Sequence, residues 1–197
     1  MGLTFQGFRY DDDWSLLDAN LEVPNDWTDA NLFMCGQKGM LFLVRIGKDR
    51  YRAISNRPEV QSLLPSSIRV KKVLWESEFH VSCRQVDRYQ KGRVFVMGDA
   101  AHIHSPAGGR GMNMGIEDAC VLAQLLSQGD AERYTEMRHK PGHQTIVLTN
   151  RLFRIASLQN PILVGIRNFF IKHVVSRPGF QRKIIVKMSG LEQQWQS

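Results

Sequence analysis

The first ninety residues contain short apolar runs in which polar residues alternate with apolar ones. Between Ser15 and Val23 every second residue is apolar, with aspartate, asparagine and glutamate between them. This two-residue period is typical of a β-strand buried on one face. Further strands are predicted at Leu32–Cys35, Met40–Ile46, 51–54, Val70–Trp75 and Phe79–Cys83, with a hairpin turn at Gly47-Lys48-Asp49. We therefore expect antiparallel strand pairing in this region.

The pattern changes after Arg93. The run Val94–Met97 is apolar without alternation, which is typical of a strand covered on both faces in a parallel sheet. From Gly111 to about Gly129, apolar residues recur at steps of three and four, which predicts an amphipathic helix. The predicted apolar face of this helix consists of Met112, Ile116, Ala119, Cys120, Ala123 and Leu126.

Helical periodicity continues to the end of the chain. Ala131–Lys140 is a predicted helix, and Pro141-Gly142 is expected to break or kink it. The last helix is expected to begin at Pro161 and to stop at Pro178-Gly179. Predicted helix positions facing a core are Leu148, Leu152, Ile155 and Ala156, followed by Ile162, Ile166, Phe169 and Phe170. The pattern predicts an α+β fold: a mostly antiparallel sheet, one Rossmann-type strand, a glycine-rich loop and a helical C-terminal tail.

Composition and charge narrow the classes of partner. An apolar content of 43% over 197 residues is sufficient for a core, and 26 basic against 19 acidic residues give a net charge of +7. The basic excess lies mostly after residue 130, and no base-reading motif accompanies it, so nucleic acid is not the predicted partner. The basic, amphipathic region 151–187 is interpreted as a solvated face over a core. Contact with a membrane surface is the alternative.

Other sequence features bear on compartment and metal content. The apolar stretch Pro161–Val175 contains charged residues and is too short to cross a bilayer, and the first ten residues do not resemble a secretory signal. The three cysteines are widely spaced and odd in number, so we expect reduced thiols and a cytoplasmic location. His102 and His104 form an H-x-H pair without further local ligands. No metal site is predicted.

The segment from Gly98 to Gly115 has the pattern of a ligand site. Asp99 follows the predicted strand 94–97, where a carboxylate can accept hydrogen bonds from ligand hydroxyls. Glycines at 108, 109 and 111 let a flat ring approach the backbone N–H groups at the start of the next helix. The helix dipole there favours negative charge, such as that on the pyrimidine edge of a reduced flavin.

A dinucleotide phosphate loop is the alternative interpretation of these glycines. The spacing Gly109-x-Gly111 would require a third glycine at position 114, which is Met114. The glycines also come about ten residues after the predicted strand, whereas the fingerprint places its first glycine in the turn directly after the strand. The phosphate-loop interpretation is therefore disfavoured.

The residues from Arg93 to Ala119, taken together, indicate a family more specifically than the single glycines or Asp99 do. Arg93 to His102, Pro106, Gly108-Gly109-x-Gly111-x-Asn113-x-Gly115 and Asp118-Ala119 together resemble the second FAD-binding motif of the class A flavoprotein aromatic hydroxylases. This group includes para-hydroxybenzoate and phenol hydroxylases. The similarity extends outward to Trp75, Phe79 and Tyr89 before the motif and to the helical tail after it, so it covers most of the chain.

The resemblance implies roles for individual residues. Asp99 is expected to bind the ribityl chain of FAD, and Pro106 to lie close to the flavin ring. Backbone amides between Gly108 and Asn113 are expected to face its pyrimidine edge. The implied cofactor-binding residues are Asp99, Pro106, Gly108, Gly109, Gly111, Met112 and Asn113. The implied reaction is hydroxylation of a small aromatic or quinone-like molecule with NAD(P)H and O2, and no catalytic side chain is predicted.

The chain also departs from the family pattern. Arg110 stands where many relatives have glutamine, and the G-x-G-x-x-G segment that holds the ADP half of FAD is missing from this sequence. We therefore expect weak or absent FAD binding by the chain alone, with a second chain or a further N-terminal domain completing the site. A flavin-free binding module is the alternative. The expected organisation is a substrate-domain-like sheet region at 1–90, a flavin-contacting strand, loop and helix at 91–130, and C-terminal helices at 131–197.

Overall fold

The computed structural model describes residues 2–24, 27–34, 39–106, 109–175 and 177–189. The predicted α+β class is confirmed. The chain divides into two compact units, which we call the sheet unit and the helical unit. The sheet unit comprises Tyr10–Val81 with Ala156–Pro161, and the helical unit comprises Met1–Arg9, Ser82–Ile155 and Ile162–Ser197.

Five strands follow one another in the first part of the chain. They are β1 (Phe5–Glu22), β2 (Ala30–Met34), β3 (Met40–Arg45), β4 (Arg50–Ser55) and β5 (Arg69–Val86). Their order across the sheet is β2-β3-β4-β1-β5. The pairs β2–β3, β3–β4 and β1–β4 are antiparallel, as expected from the sequence. A short 3-10 helix at Val60–Leu63 connects β4 to β5.

The core of the sheet unit follows from the register of its strands. Ala53 on β4 is paired with Leu17 on β1 and with Leu43 on β3, and all three side chains are fully buried. A small residue between two leucines fits a close-packed row, where total volume is limited. The predicted hairpin at 47–49 is confirmed, because Arg45 pairs with Tyr51 around it.

Two strand predictions are corrected in length. Val70–Trp75 and Phe79–Cys83 were expected as separate strands, but both lie in the single 18-residue strand β5. The strand predicted from Ser15 begins at Phe5. Long strands lose clean alternation where both faces are partly exposed, and the first half of β1 is mostly exposed. Cys35 lies outside the described residues.

The helical unit contains short strands and most of the helices. A hairpin of β6 (Gln90–Lys91) and β7 (Val94–Phe95) precedes a 3-10 turn at Gly98–Ala100 and the strand β8 (His102–Ile103), which pairs antiparallel with the end of β5. The helices are α1 (Gly111–Gln128), α2 (Tyr134–Ala156), α3 (Pro161–Phe170) and α4 (Pro178–Ser189). Helix α1 ends at Gly129, which has a left-handed backbone as expected for a C-terminal cap.

The structure corrects the Rossmann-type strand. Val94–Met97 was expected within a parallel sheet, but only Val94–Phe95 is a strand, and it pairs antiparallel with β6. The turn between them contains Gly92 with a φ of 59°, which suits a tight local hairpin. Val94 and Met97 are exposed, so this segment is not covered on both faces in the described structure.

Helix α2 runs through the predicted break. Pro141 lies inside it, and the helix continues for fifteen residues to Ala156. A proline removes one helix hydrogen bond, and burial of the surrounding turns can offset that loss. The buried residues of α2 are not the predicted apolar ones, and Ile155 is exposed. The buried positions are Tyr134, Arg138, Gly142, Thr145, Thr149 and Phe153.

The last two helices also differ from the sequence interpretation. Ile162, Ile166, Phe169 and Phe170 of α3 were expected to be buried, but each is more than half exposed. Pro178-Gly179 was expected to end a helix, and it begins α4. Proline suits the first turn of a helix as well as the region after one, so the pattern alone did not decide between them. In the described parts of the chain, no helix combines the length and hydropathy needed to cross a bilayer.

Candidate functional site

The Gly98–Ala100 turn presents Asp99 at the surface of the helical unit. Gly98 has a φ of 55°, a backbone conformation that residues other than glycine rarely adopt. A Cβ atom on Gly98 would lie 3.6 Å from the Cα of Gly115, and one on Gly115 would lie 3.4 Å from the Cα of Gly98. The turn and helix α1 therefore approach each other closely at these two glycines. Asp99 itself is exposed, and its carboxylate can reach a ligand.

The predicted loop residues lie at the start of α1. Gly109 has a φ of 60°, and its N–H donates to the carbonyl of Pro106 at 3.0 Å. Gly111, Met112 and Asn113 are the first three residues of the helix, and the side chains of Met112 and Asn113 are exposed. The first N–H groups of a helix have no acceptor within it, and they form the positive end of its dipole. Gly108 lies outside the described residues.

A buried carboxylate ties the Gly98 turn to α1. Asp118 has no exposed surface, and three groups donate to it: His102 Nε2 at 2.7 Å, Arg138 Nε at 2.6 Å and the Gly98 N–H at 3.0 Å. Burial opposes ionisation of Asp118, but these hydrogen bonds and the charge of Arg138 outweigh it, so the pKa of this carboxyl lies below its ordinary value. Asp118 is therefore an anion in the folded protein.

The ion pairs extend to the other end of the loop. Glu117 Oε2 accepts from Arg138 at 3.1 Å, and Glu117 Oε1 lies 3.5 Å from Arg110 Nη2. Arg110 is the residue that departs from the family glutamine, and it is almost fully buried. We call Arg110, Glu117, Asp118, Arg138 and His102 the Asp118 cluster. The cluster joins the loop, α1, α2 and β8.

Two histidine rings lie side by side next to this cluster. The rings of His102 and His104 are nearly parallel, with centroids 6.5 Å apart. Because Asp118 is ionised, His102 donates through Nε2–H. His104 donates through Nδ1–H to the Ser105 carbonyl at 2.9 Å. Burial lowers the pKa of His104 below its ordinary value, although the Ser105 carbonyl and the charge of Asp99 act in the opposite direction.

We expect His104 to stay neutral to a lower pH than an exposed histidine. Its folded-state pKa is below the unfolded one, so its contribution to stability is complete above about pH 6.5 and is lost as the pH falls below that value. A titration of the ring nitrogens by NMR measures the pKa directly. Replacing His104 with glutamine should flatten the pH dependence of unfolding below about pH 6.5. An ordinary titration midpoint for His104 would contradict the burial argument.

The structure brings most predicted residues together, and it adds others. Asp99, Gly109, Gly111, Met112 and Asn113 lie in one loop and the helix turn that follows it. Sequence reasoning used Asp118 only as part of a motif and missed Glu117 and Arg138. Adjacent acidic residues within an otherwise apolar helix were an available signal. Arg138 is twenty residues further along and had no local signal.

Comparison with known proteins shows which family the chain resembles. A family model described as an FAD binding domain matches residues 48–143. The 6-methylpretetramide 4-monooxygenase of Streptomyces rimosus is 36% identical to the chain over an alignment of 207 positions, gaps included, which covers 89% of the chain and 36% of that enzyme. Pentachlorophenol 4-monooxygenase of Sphingobium chlorophenolicum is 28% identical over 155 residues, 67% of the chain and 28% of that enzyme.

The fold is also found in the crystal structure of a monooxygenase. The crystal structure of p-nitrophenol 4-monooxygenase from Pseudomonas putida DLL-E4 matches with a TM-score of 0.77 and 22% identity, covering 96% of the chain and 56% of that protein. The predicted resemblance to the FAD-dependent class A aromatic hydroxylases is therefore confirmed. The chain spans about a third of the length of the two curated relatives named above.

Proposed function

We propose that this chain forms the flavin-ring and substrate-facing part of an FAD-dependent monooxygenase. The enzyme would hydroxylate a small aromatic or quinone-like molecule with NAD(P)H and O2. The observation that supports this most directly is the pairing of an exposed carboxylate, Asp99, with the exposed start of α1 on one loop held by the Asp118 cluster. The similarity to monooxygenases named for aromatic substrates gives independent support.

The residues present fit the ring and ribityl portion of FAD. Asp99 would accept hydrogen bonds from ribityl hydroxyls, and the amides of Gly109 to Asn113 would face the pyrimidine edge of the ring. A Cβ atom at Gly109 would meet no other atom within 4 Å, so the backbone there is open to a flat ligand. The dipole of α1 would favour the negative charge of the reduced ring. When bound, FAD supplies the redox chemistry and the reaction with O2.

We also propose that a further polypeptide segment, in the same protein or in a second chain, holds the nucleotide half of FAD. The apolar face of α1 predicted from the sequence is exposed, with Met112 at 76% and Ile116 at 55% of their maximal exposure. Soluble proteins rarely leave a contiguous apolar strip uncovered, and such strips are typical of interfaces. The remaining residues of this strip are Ala119, Cys120, Ala123 and Leu126.

Flavin binding by the purified chain tests the proposal. We expect the chain to lose FAD on desalting, because the residues assigned above would hold only the ring and the ribityl chain of FAD. A fluorescence titration with riboflavin should detect weak binding. Asp99→Asn should weaken it by at least about tenfold, since a charge-assisted hydrogen bond contributes about 1.5–3 kcal/mol. Asp130→Asn is the matched control, because Asp130 is an exposed carboxylate in the same unit, paired only at the surface with Arg133.

The possible outcomes separate the alternatives. A flavin spectrum that survives desalting would overturn the incomplete-site part of the proposal. A folded chain that binds neither FAD nor riboflavin would favour a flavin-free binding module. Equal riboflavin affinity in the wild type and Asp99→Asn would remove Asp99 from the site.

A further inference from the structure

The Gly98 turn and Arg110 are both attached to the same buried ion-pair cluster. The Gly98 N–H and the His102 ring both donate to Asp118 Oδ2. Arg110 is paired with Glu117, the residue next to Asp118 on α1. Arg138 from α2 binds both carboxylates. The Gly98–Ala100 turn, which contains Asp99, is therefore fixed relative to α1.

We propose that Asp118 is a positioning residue for the flavin site: its buried carboxylate fixes the Gly98 turn and thereby sets the position of Asp99. This inference rests on the proposed function, because Asp99 is the residue through which it would affect flavin binding. Asp118 itself is fully buried, and it is expected to act through Gly98 and His102 without contacting the ligand.

The donor set around Asp118 requires a carboxylate. Oδ2 receives two donors and Oδ1 receives a third, and none of these groups can accept a hydrogen bond in its present role. An asparagine has nearly the same shape, but its NH2 group would face a donor. Because Arg138 is charged and buried, the amide oxygen of the Asp118→Asn side chain is expected to face Arg138. The NH2 group would then face the Gly98 N–H and His102, and the hydrogen bond from Gly98 would be lost.

The close approach of Gly98 and Gly115 explains why a small shift would matter. Cβ atoms at these positions would already be within 3.4–3.6 Å of the opposing Cα, so the turn lies directly on the helix. The carboxylate of Asp118 is three residues further along the same helix, on the next turn. Release of the Gly98 N–H would free the turn to move away from α1, and Asp99 is the next residue.

A purely structural role for Asp118 predicts a different result. If the cluster only stabilises the helical unit, Asp118→Asn should lower the free energy of unfolding without moving the Gly98 turn in the folded state. The two roles are separated by observing the turn itself in the folded chain. Amide hydrogen exchange and chemical shifts of Gly98 and Asp99, measured by NMR, do this without any cofactor.

The experiment compares the wild-type chain with Asp118→Asn and with the control Asp130→Asn. In the wild type we expect a protected Gly98 amide and a His102 ring protonated at Nε2. In Asp118→Asn, Gly98 amide exchange should become at least about tenfold faster, the Asp99 signals should shift, and riboflavin binding should weaken about tenfold. Asp130→Asn should change none of these. Amides of β3 provide an internal reference, because they belong to the sheet unit.

Each outcome decides the proposal. A folded Asp118→Asn variant with an unchanged Gly98 amide and unchanged Asp99 signals would overturn it, as would a wild-type Gly98 amide that exchanges like an exposed one. If Asp118→Asn does not fold, the same measurements on Asp118→Glu decide, because that variant keeps the charge and displaces the carboxylate by one methylene. Absence of riboflavin binding in the wild type would refute the proposed function, whereas the NMR comparison would still test the positioning of Asp99.

Discussion

Replacing Arg138 with methionine is expected to lower the free energy of unfolding by about 3–5 kcal/mol, because it leaves the buried carboxylate of Asp118 without its compensating charge. Both partners are almost fully buried, and their closest atoms are 2.6 Å apart. Methionine has a comparable apolar stem, so the change isolates the loss of the guanidinium. Urea unfolding followed by circular dichroism measures the effect.

The pH dependence of this difference identifies its cause. The pKa of Asp118 in the wild type lies below the ordinary value, so its stabilising effect is present at neutral pH and is lost as the pH falls through the folded-state pKa. In the Arg138 variant, protonation of Asp118 removes the unpaired charge. The gap between variant and wild type should therefore narrow as the pH is lowered towards about 4.

A second arginine provides the control. Arg133 pairs with Asp130 at 3.3 Å, but both side chains are more than half exposed. Arg133→Met should change the stability by less than about 1 kcal/mol, as is usual for an exposed ion pair. Similar losses for the two variants, or a loss at Arg138 that does not depend on pH, would contradict the role assigned to the buried pair.

Replacing Gly142 with alanine is expected to destabilise the protein by about 1–3 kcal/mol, although alanine is the better helix former by about 1 kcal/mol. Gly142 lies inside α2, and a Cβ atom there would overlap the hydroxyl of Tyr89 and lie 2.9 Å from Nε2 of Gln85. Tyr89 is fully buried and accepts a hydrogen bond from Gln85, so neither group can move without loss. Thermal unfolding measures the change.

Gly165→Ala is the matched control for this substitution. Gly165 lies inside α3, and a Cβ atom there would meet nothing within 4 Å. The same change in an uncrowded helix should therefore leave the stability unchanged or raise it by up to about 1 kcal/mol. If both variants were stabilised equally, the close approach of α2 to Tyr89 would be refuted.

Local sequence patterns were sufficient for the strands of the sheet unit and for the existence of α1. Alternation in Leu17 and its neighbours identified β1, and the turn at 47–49 identified the hairpin, because both signals depend only on residues close in sequence. The glycines and Asp99 identified the loop for the same reason. The length of β5 was not predictable, since strands at a partly exposed position lose their alternation.

The buried face of α1 could not be predicted from periodicity. The helix has apolar residues on two faces, and the one that the sequence favoured, including Met112 and Ile116, is exposed. The buried face contains Met114, Val121 and a charged residue, Asp118. An apolar pattern indicates which residues are candidates for burial, but it does not show which element packs against them.

The continuation of α2 through Pro141 has a similar explanation. Its buried positions include Arg138 and Thr145, which a hydropathy pattern assigns to the surface. Arg138 is buried because Asp118 and Glu117 neutralise it, and those partners are about twenty residues away in sequence. Pairing at that distance depends on the tertiary fold, and the single sequence contained no signal for it.

The attachment of the Gly98 turn to helix α1 has an entropic consequence. Fixing the backbone of one residue costs about 1–2 kcal/mol in conformational entropy. In this protein the Gly98–Ala100 turn is already ordered by folding, through the Gly98 N–H and the contact with Gly115. A ligand that binds to Asp99 therefore meets a preorganised acceptor, and the free energy of that hydrogen bond contributes to affinity without a further ordering cost at this turn.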